Sequence, residues 1–169
     1  NFYKTDGTSD LCKIDFIFGD AQSLATTGFM VKKGKHYSPV MAQDHDAGTS
    51  GGIVFRATEA MLIYMEASYE KNRHVDETSD KYWRALRRRA KVNEDYNVTI
   101  AATQMAKEAE GDWGAYSKGV LIDETLYNIR RERRNELCAE AYRWDDLKRW
   151  RSMDQMVNLP YRVEGMLYW

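Results

Sequence analysis

No hydrophobic run in this sequence approaches the ~20 residues that cross a bilayer as a helix. Its opening, Asn1 to Asp10, carries neither a basic segment nor an apolar one, so no signal peptide is legible. An initiator Met is also missing, and the chain stops at Trp169 just after an aromatic run. Both ends read as cuts within a longer protein, so the lack of a targeting signal does not place the parent. An excess of either charge is absent too. The 25 Lys and Arg stand against 26 Asp and Glu, a formal net charge of −1. That balance provides no general affinity for nucleic acid or anionic lipid.

Catalytic and metal signatures are equally sparse. His36, His45 and His74 lie far apart, without the spacing of metal ligands. Asp44-His45-Asp46 sits in a glycine-rich loop but falls short of the full calcium-loop pattern. There is no Gly-x-Ser-x-Gly, no phosphate-binding loop and no dinucleotide fingerprint. Acids are common, yet none stands in an apolar setting that would raise its pKa for glycoside hydrolysis. We therefore expect no catalytic residues, no metal and no cofactor. Cys12 and Cys138 fit either one disulfide or two separate thiols and leave the redox compartment open.

What is present suits a folded domain with its own core. The chain has 169 residues, 43% hydrophobic and 30% charged. Aromatics are plentiful, with 5 Trp and 11 Tyr. Residues 1–52 read as a loop-rich region with short strands, Ile14 to Phe18 being one candidate. Residues 53–169 read as helical. Ala57, Ala60, Met61, Tyr64 and Met65 recur at three- and four-residue steps and predict a helix from Ile53 to Asn72. Small and large residues alternate on that face, which lets a second helix approach closely.

A break at Asn72 to Asp80 precedes a second helix to Val92, with Thr78 or Ser79 as its cap and Trp83 and Leu86 on its stripe. Thr103 to Glu110 reads as a short helix, and Gly111 to Tyr116 as a turn carrying two aromatics. The clearest helix runs from Asp123 to Ala141, and a fourth from Trp144 to Trp150 after a kink. Pro160 ends any further helix. Trp83, Trp144 and Trp150 fall on stripes expected to face a core. The fold class is mainly α, with tetratricopeptide-like helical hairpins, although a strict period of about 34 residues is not followed.

The most informative stretch is Ile129 to Trp150. Opposite charges recur at helix-neighbour spacing: Arg133 with Glu136, Glu140 with Arg143, Asp145 with Arg149. Arg133 falls between Ile129 and Leu137 on the apolar stripe, where a charge is tolerable only if paired. These residues predict a partly buried Arg/Glu network joining the third and fourth helices. By composition alone the stretch also fits a solvated, salt-bridged helix surface. The basic runs Arg84–Lys91 and Arg130–Arg134 are balanced by neighbouring acids, which argues against nucleic acid as a partner.

This stretch resembles the SusD/RagB family pattern Ile-x-x-Glu-Arg-x-x-Glu-Leu-x-x-Glu-Gly-x-Arg-x-x-Asp-Leu-x-Arg-Trp. Ile129, Glu132, Arg133, Glu136, Leu137, Glu140, Arg143, Asp146, Leu147, Arg149 and Trp150 match it. The helix from Arg56 to Ala67 and the helix end from Ala85 to Ala90 resemble two earlier segments of the family, in the same order. Three departures stand out: Ala141 where the family has glycine, Arg87 where it has asparagine, and Met65 where alanine is usual.

The resemblance implies a lipid-anchored protein on the extracellular face of the outer membrane, its anchor on an N-terminus absent from this chain. It implies capture of oligosaccharides or other nutrients for a SusC-like TonB-dependent transporter, and no enzymatic activity. Sugar capture suits aromatic loops, because pyranose C–H faces stack on indole and phenol rings while polar neighbours bind hydroxyls. Among the loop aromatics, which include Phe2, Tyr3 and Phe29, Trp113 and Tyr116 are the leading candidates because glycines flank them. Asp112, His36 and Tyr37 are added as ligand-binding candidates. The competing expectation is a helical-repeat scaffold that binds another protein and no glycan.

Overall fold

The structure is a computed structural model, and it describes residues 52–158 together with Lys33. The expected strand at Ile14 to Phe18, the loop through Asp44–Asp46, Cys12, Pro160 and the candidates Phe2, Tyr3, Phe29, His36 and Tyr37 lie outside the described residues. All elements below belong to one compact unit spanning Val54–Arg162.

The unit is mainly helical. In chain order it contains α1 (Ala57–Asn72), α2 (Glu77–Arg89), α3 (Tyr96–Ala102) and α4 (Met105–Gly111). A 3-10 turn (Trp113–Ala115) and a two-stranded antiparallel ribbon, β1 (Tyr116–Ser117) with β2 (Val120–Leu121), come next. Then follow α5 (Glu124–Glu136), α6 (Tyr142–Arg149) and the short α7 (Gln155–Asn158). Helices α1 and α2 form a hairpin, and α5 packs against α1. No helix among the described residues is long and apolar enough to cross a membrane.

The hairpin turn has local causes. Arg73 ends α1 in a left-handed conformation, its N–H donating to Tyr69 O at 2.8 Å. Asp76, rather than Thr78 or Ser79, caps α2: its carboxylate accepts from the Ser79 N–H at 2.7 Å and from the Ser68 and Tyr64 hydroxyls. Those bonds to the ionised form hold its carboxyl well below the ordinary value, at about 2.

The core gathers Leu62, Met65, Trp83, Leu86, Leu126, Ile129 and Leu137 from α1, α2, α5 and the turn after α5. Trp83 lies flat against Tyr96 of α3, centroids 4.1 Å apart and planes 3° apart. Residues 96–102, where the sequence shows no clear period, are thereby held as a helix by a tertiary contact. A second cluster joins Met105, Ala109, Ala115 and Tyr127.

Charged residues from the three resembling segments meet in space. Glu59 of α1 accepts from the Tyr142 hydroxyl at 2.9 Å and lies 3.9 Å from Arg133. Glu66, buried, accepts from Arg130 at 3.2 Å, Arg149 at 2.7 Å and the Trp150 indole. Arg56 pairs with Glu136 and Glu140, and Arg87 of α2 with Glu132. Arg133 and Asp146 join α5 to α6 at 2.8 Å. The network between those two helices is therefore present, but apart from Asp146 with Arg149 its contacts are tertiary rather than the neighbour pairs expected along one helix. Arg143 turns to Asp112, and Arg149 to Glu66 and Asp146. The buried acids Asp112, Glu66 and Asp146 attract these guanidiniums more strongly than solvated partners do.

The third helix is shorter than expected. It ends at Glu136, and the chain reverses through Ala139 (φ 64°) and Ala141 (φ 65°). Ala141 thus adopts the left-handed conformation that a glycine would take there without strain. A second correction concerns Trp144. It is 50% exposed, whereas Trp83 and Trp150 are buried. The turn through Ala141 rotates α6 so that Leu147 and Trp150 face inward and Trp144 faces out.

Candidate functional site

The turn that bears Trp113 is fastened from two directions. Asp112 opens it as a cap, its Oδ1 accepting from the Gly114 N–H at 2.8 Å. Arg134 of α5 donates to Asp112 Oδ2 at 2.6 Å, and Arg143 of α6 pairs with Oδ1. The Tyr127 hydroxyl lies 3.2 Å from Oδ2 and 2.8 Å from Glu108 Oε2. Burial, then the negative charge of Asp112, pushes the Tyr127 phenol upward from its ordinary pKa.

From the other side comes Arg130, only 2% exposed. Its guanidinium donates to the carbonyls of Gly114 at 3.3 Å and Tyr116 at 3.1 Å, and to the Ser117 hydroxyl at 2.8 Å. It lies 4.3 Å from the Trp150 ring centroid. Desolvation lowers its pKa, opposed by Glu66 and Glu70. Gly114 has a steric role. A Cβ there would stand 3.1 Å from both terminal nitrogens of Arg143 and from Asp112 Oδ1.

Beside this turn lies a groove of about 640 Å³. Trp113 and Trp144 line it with Tyr142, Arg133, Arg134 and Arg143. Two indoles with guanidinium donors between them can stack on a ring and hydrogen-bond its substituents. The Lys148 ammonium sits 5.6 Å from the centroid of Trp144.

Of the sequence candidates, the structure brings Asp112 and Trp113 together. Asp112 is buried at 6% exposure, with its oxygens committed to the turn and the two arginines, so its place is behind the groove. Trp113 is half-buried and lines the groove. Tyr116 is also half-buried but packs on the Met105–Tyr127 cluster. Arg134, Arg143 and Trp144 were not singled out by sequence reasoning as ligand residues. Arg143 and Trp144 follow Ala141, where the family pattern has glycine, by two and three residues, a spacing that did not announce a ligand role. Among the described residues no cluster of three or more His, Cys, Asp or Glu could hold a metal ion.

The helical scaffold thus presents a groove with aromatic and cationic lining. The model of the SusD family matches residues 21–168, and the chain belongs to that family. The family's members are binding proteins rather than enzymes, associated with glycan and nutrient uptake. No curated protein and no solved structure matches the chain significantly.

Proposed function

We propose that this protein captures an oligosaccharide or other nutrient at the outer face of the outer membrane and hands it to a SusC-like TonB-dependent transporter. In this reading it performs no chemistry on the ligand and is held to the membrane by a lipid on a segment outside this chain. Membership of the SusD family over residues 21–168 is the observation that carries the proposal. The groove at Trp113 supports it locally. Trp113 supplies a stacking face, Asp112 and Arg130 hold its turn in place, and Tyr116 is a further proposed contact; His36 and Tyr37, outside the described residues, are proposed as ligand contacts separately from this groove.

The test is titration of the full chain with a panel of oligosaccharides, followed by the Trp113→Ala variant. The expected result is glycan binding by the parent and its loss in the variant, with an unchanged unfolding midpoint. Should the variant keep both glycan binding and association with the transporter barrel, the site assignment is wrong. A second reading is a protein-binding scaffold. It is favoured by α1, which exposes Ile63 at 50% and Tyr64 at 42% beside the small residues Ala60 and Ala67. Failure of every glycan to bind, with barrel association intact, selects that reading.

A further inference from the structure

We propose that the groove between Trp113 and Trp144 takes an acidic saccharide, holding a ring carboxylate against Arg134 and Arg143. This rests on the capture reading above and adds the charge class of the ligand.

The argument begins at Asp112. Two guanidiniums share this one carboxylate, Arg134 on Oδ2 and Arg143 on Oδ1. The acid side chain is 7% exposed, while those of Arg134 and Arg143 are 40% and 35% exposed. The negative charge is thus behind the wall and the positive charges are on it. Each guanidinium carries five N–H donors in a planar fork, and one contact to Asp112 leaves several unused. A ligand carboxylate matches that fork in shape and charge.

The remaining lining points the same way. Three arginines (Arg133, Arg134 and Arg143) face the groove against one aspartate, Asp146. Asp146 is itself shared, accepting from Arg133 at 2.8 Å and Arg149 at 2.9 Å. Glu59 stands 3.9 Å from Arg133 on the α1 side, and Glu108 is engaged by Arg131 at 3.1 Å. Arg133, with a side chain 6% exposed, has Nη1 buried and without a hydrogen-bond partner. An unmet donor of a buried cation is costly, and an anion entering beside it relieves that cost. Lys148, over the ring of Trp144, is itself paired with Asp145 at 3.5 Å and does not add to this charge.

The anion is assigned to a saccharide because of the walls. Trp113 and the half-exposed Trp144 provide flat apolar faces on a groove of about 640 Å³, suited to the C–H faces of sugar rings. A bare inorganic anion would make no use of them.

The test is calorimetric titration of the full chain with a panel of uronic-acid oligosaccharides and with the same compounds after reduction of their carboxyls to alcohols. The acids are expected to bind at least tenfold tighter than their reduced counterparts, with affinity falling as salt rises. Arg134→Gln and Trp144→Ala are each expected to weaken acid binding at least tenfold. Trp144 is half in solvent, so its variant keeps the test valid if Arg134→Gln disturbs the fold. Arg88→Gln, on an exposed pair with Glu94 far along α2, serves as a net-charge control and should leave binding unchanged. Equal or tighter binding of the reduced compounds overturns the acidic class while leaving capture intact. If neither set binds and neutral glycans also fail, the capture reading falls and this inference with it.

Discussion

Arg133 Nε lies 2.8 Å from Asp146 Oδ2, both side chains 6% exposed, and this pair closes the reversal between α5 and α6. Charge is tolerable at that depth only because each partner neutralises the other. Asp146→Ala leaves Arg133 and Arg149 competing for too few acceptors. It is expected to cost about 3–5 kcal/mol, the usual loss when one member of a buried pair is removed. Denaturant unfolding of the variant measures it. A change under about 1 kcal/mol would mean the pair is hydrated in solution.

Ala141 offers the opposite experiment. Its φ of 65° carries the strain of an L-residue in the left-handed region. Ala141→Gly removes the Cβ clash and is expected to raise stability by about 1 kcal/mol, part of the gain being offset by the freer unfolded chain. A glycine placed in mid-helix, Ala85→Gly, should instead destabilise by about 1 kcal/mol. The two midpoints moving in the same direction would contradict this account.

Gly114 tests the clamp on the Trp113 turn. A Cβ at 3.1 Å from Arg143 and Asp112 requires these side chains to give by a few tenths of an ångström, and the branches of a valine add further crowding. Gly114→Val is expected to displace Arg143, lower stability by about 1–3 kcal/mol and weaken ligand binding together. Unchanged binding in a folded Gly114→Val protein would separate the turn from the groove.

The pH dependence follows from two groups with opposite shifts. Asp76 is held at about 2 against an ordinary 3.8, chiefly by the Ser68 hydroxyl and the Ser79 N–H. The unfolded chain therefore takes up this proton first, and stability present above pH 4 or so is lost as pH falls toward 2. Tyr96 is pushed up to about 12 from 10.0 by burial and by its bond to Asp80. The unfolded phenol ionises first, so stability present below pH 10 is lost as pH rises toward 12. Unfolding curves across pH measure both edges, and Asp76→Asn should flatten the acid one.

The helical class was legible because apolar residues in α2 and α5 recur at the helix period, which is a local property; the helix α1 was foreseen but its face was not, since Leu62, Met65, Glu66 and Tyr69 are buried while Ala57, Ala60 and Tyr64 are exposed. Helix α3 was not, since its reason is the Trp83–Tyr96 stack with another element. The candidate site was legible in half. Glycines around Trp113 announced a turn, but nothing near Trp144 announced that it would face out.

The sequence by itself determined the order and type of the main helices and the stretch from Ile129 to Trp150 that marks the family. Only the tertiary structure decided which acid meets which base, because Glu66 and Arg149 are 83 residues apart and pair through the packing of α1 against the later helices. It also decided that Asp112 lies inside while Arg134 and Arg143 stand at the groove. Burial, unlike helix period, depends on what the rest of the chain places beside a residue.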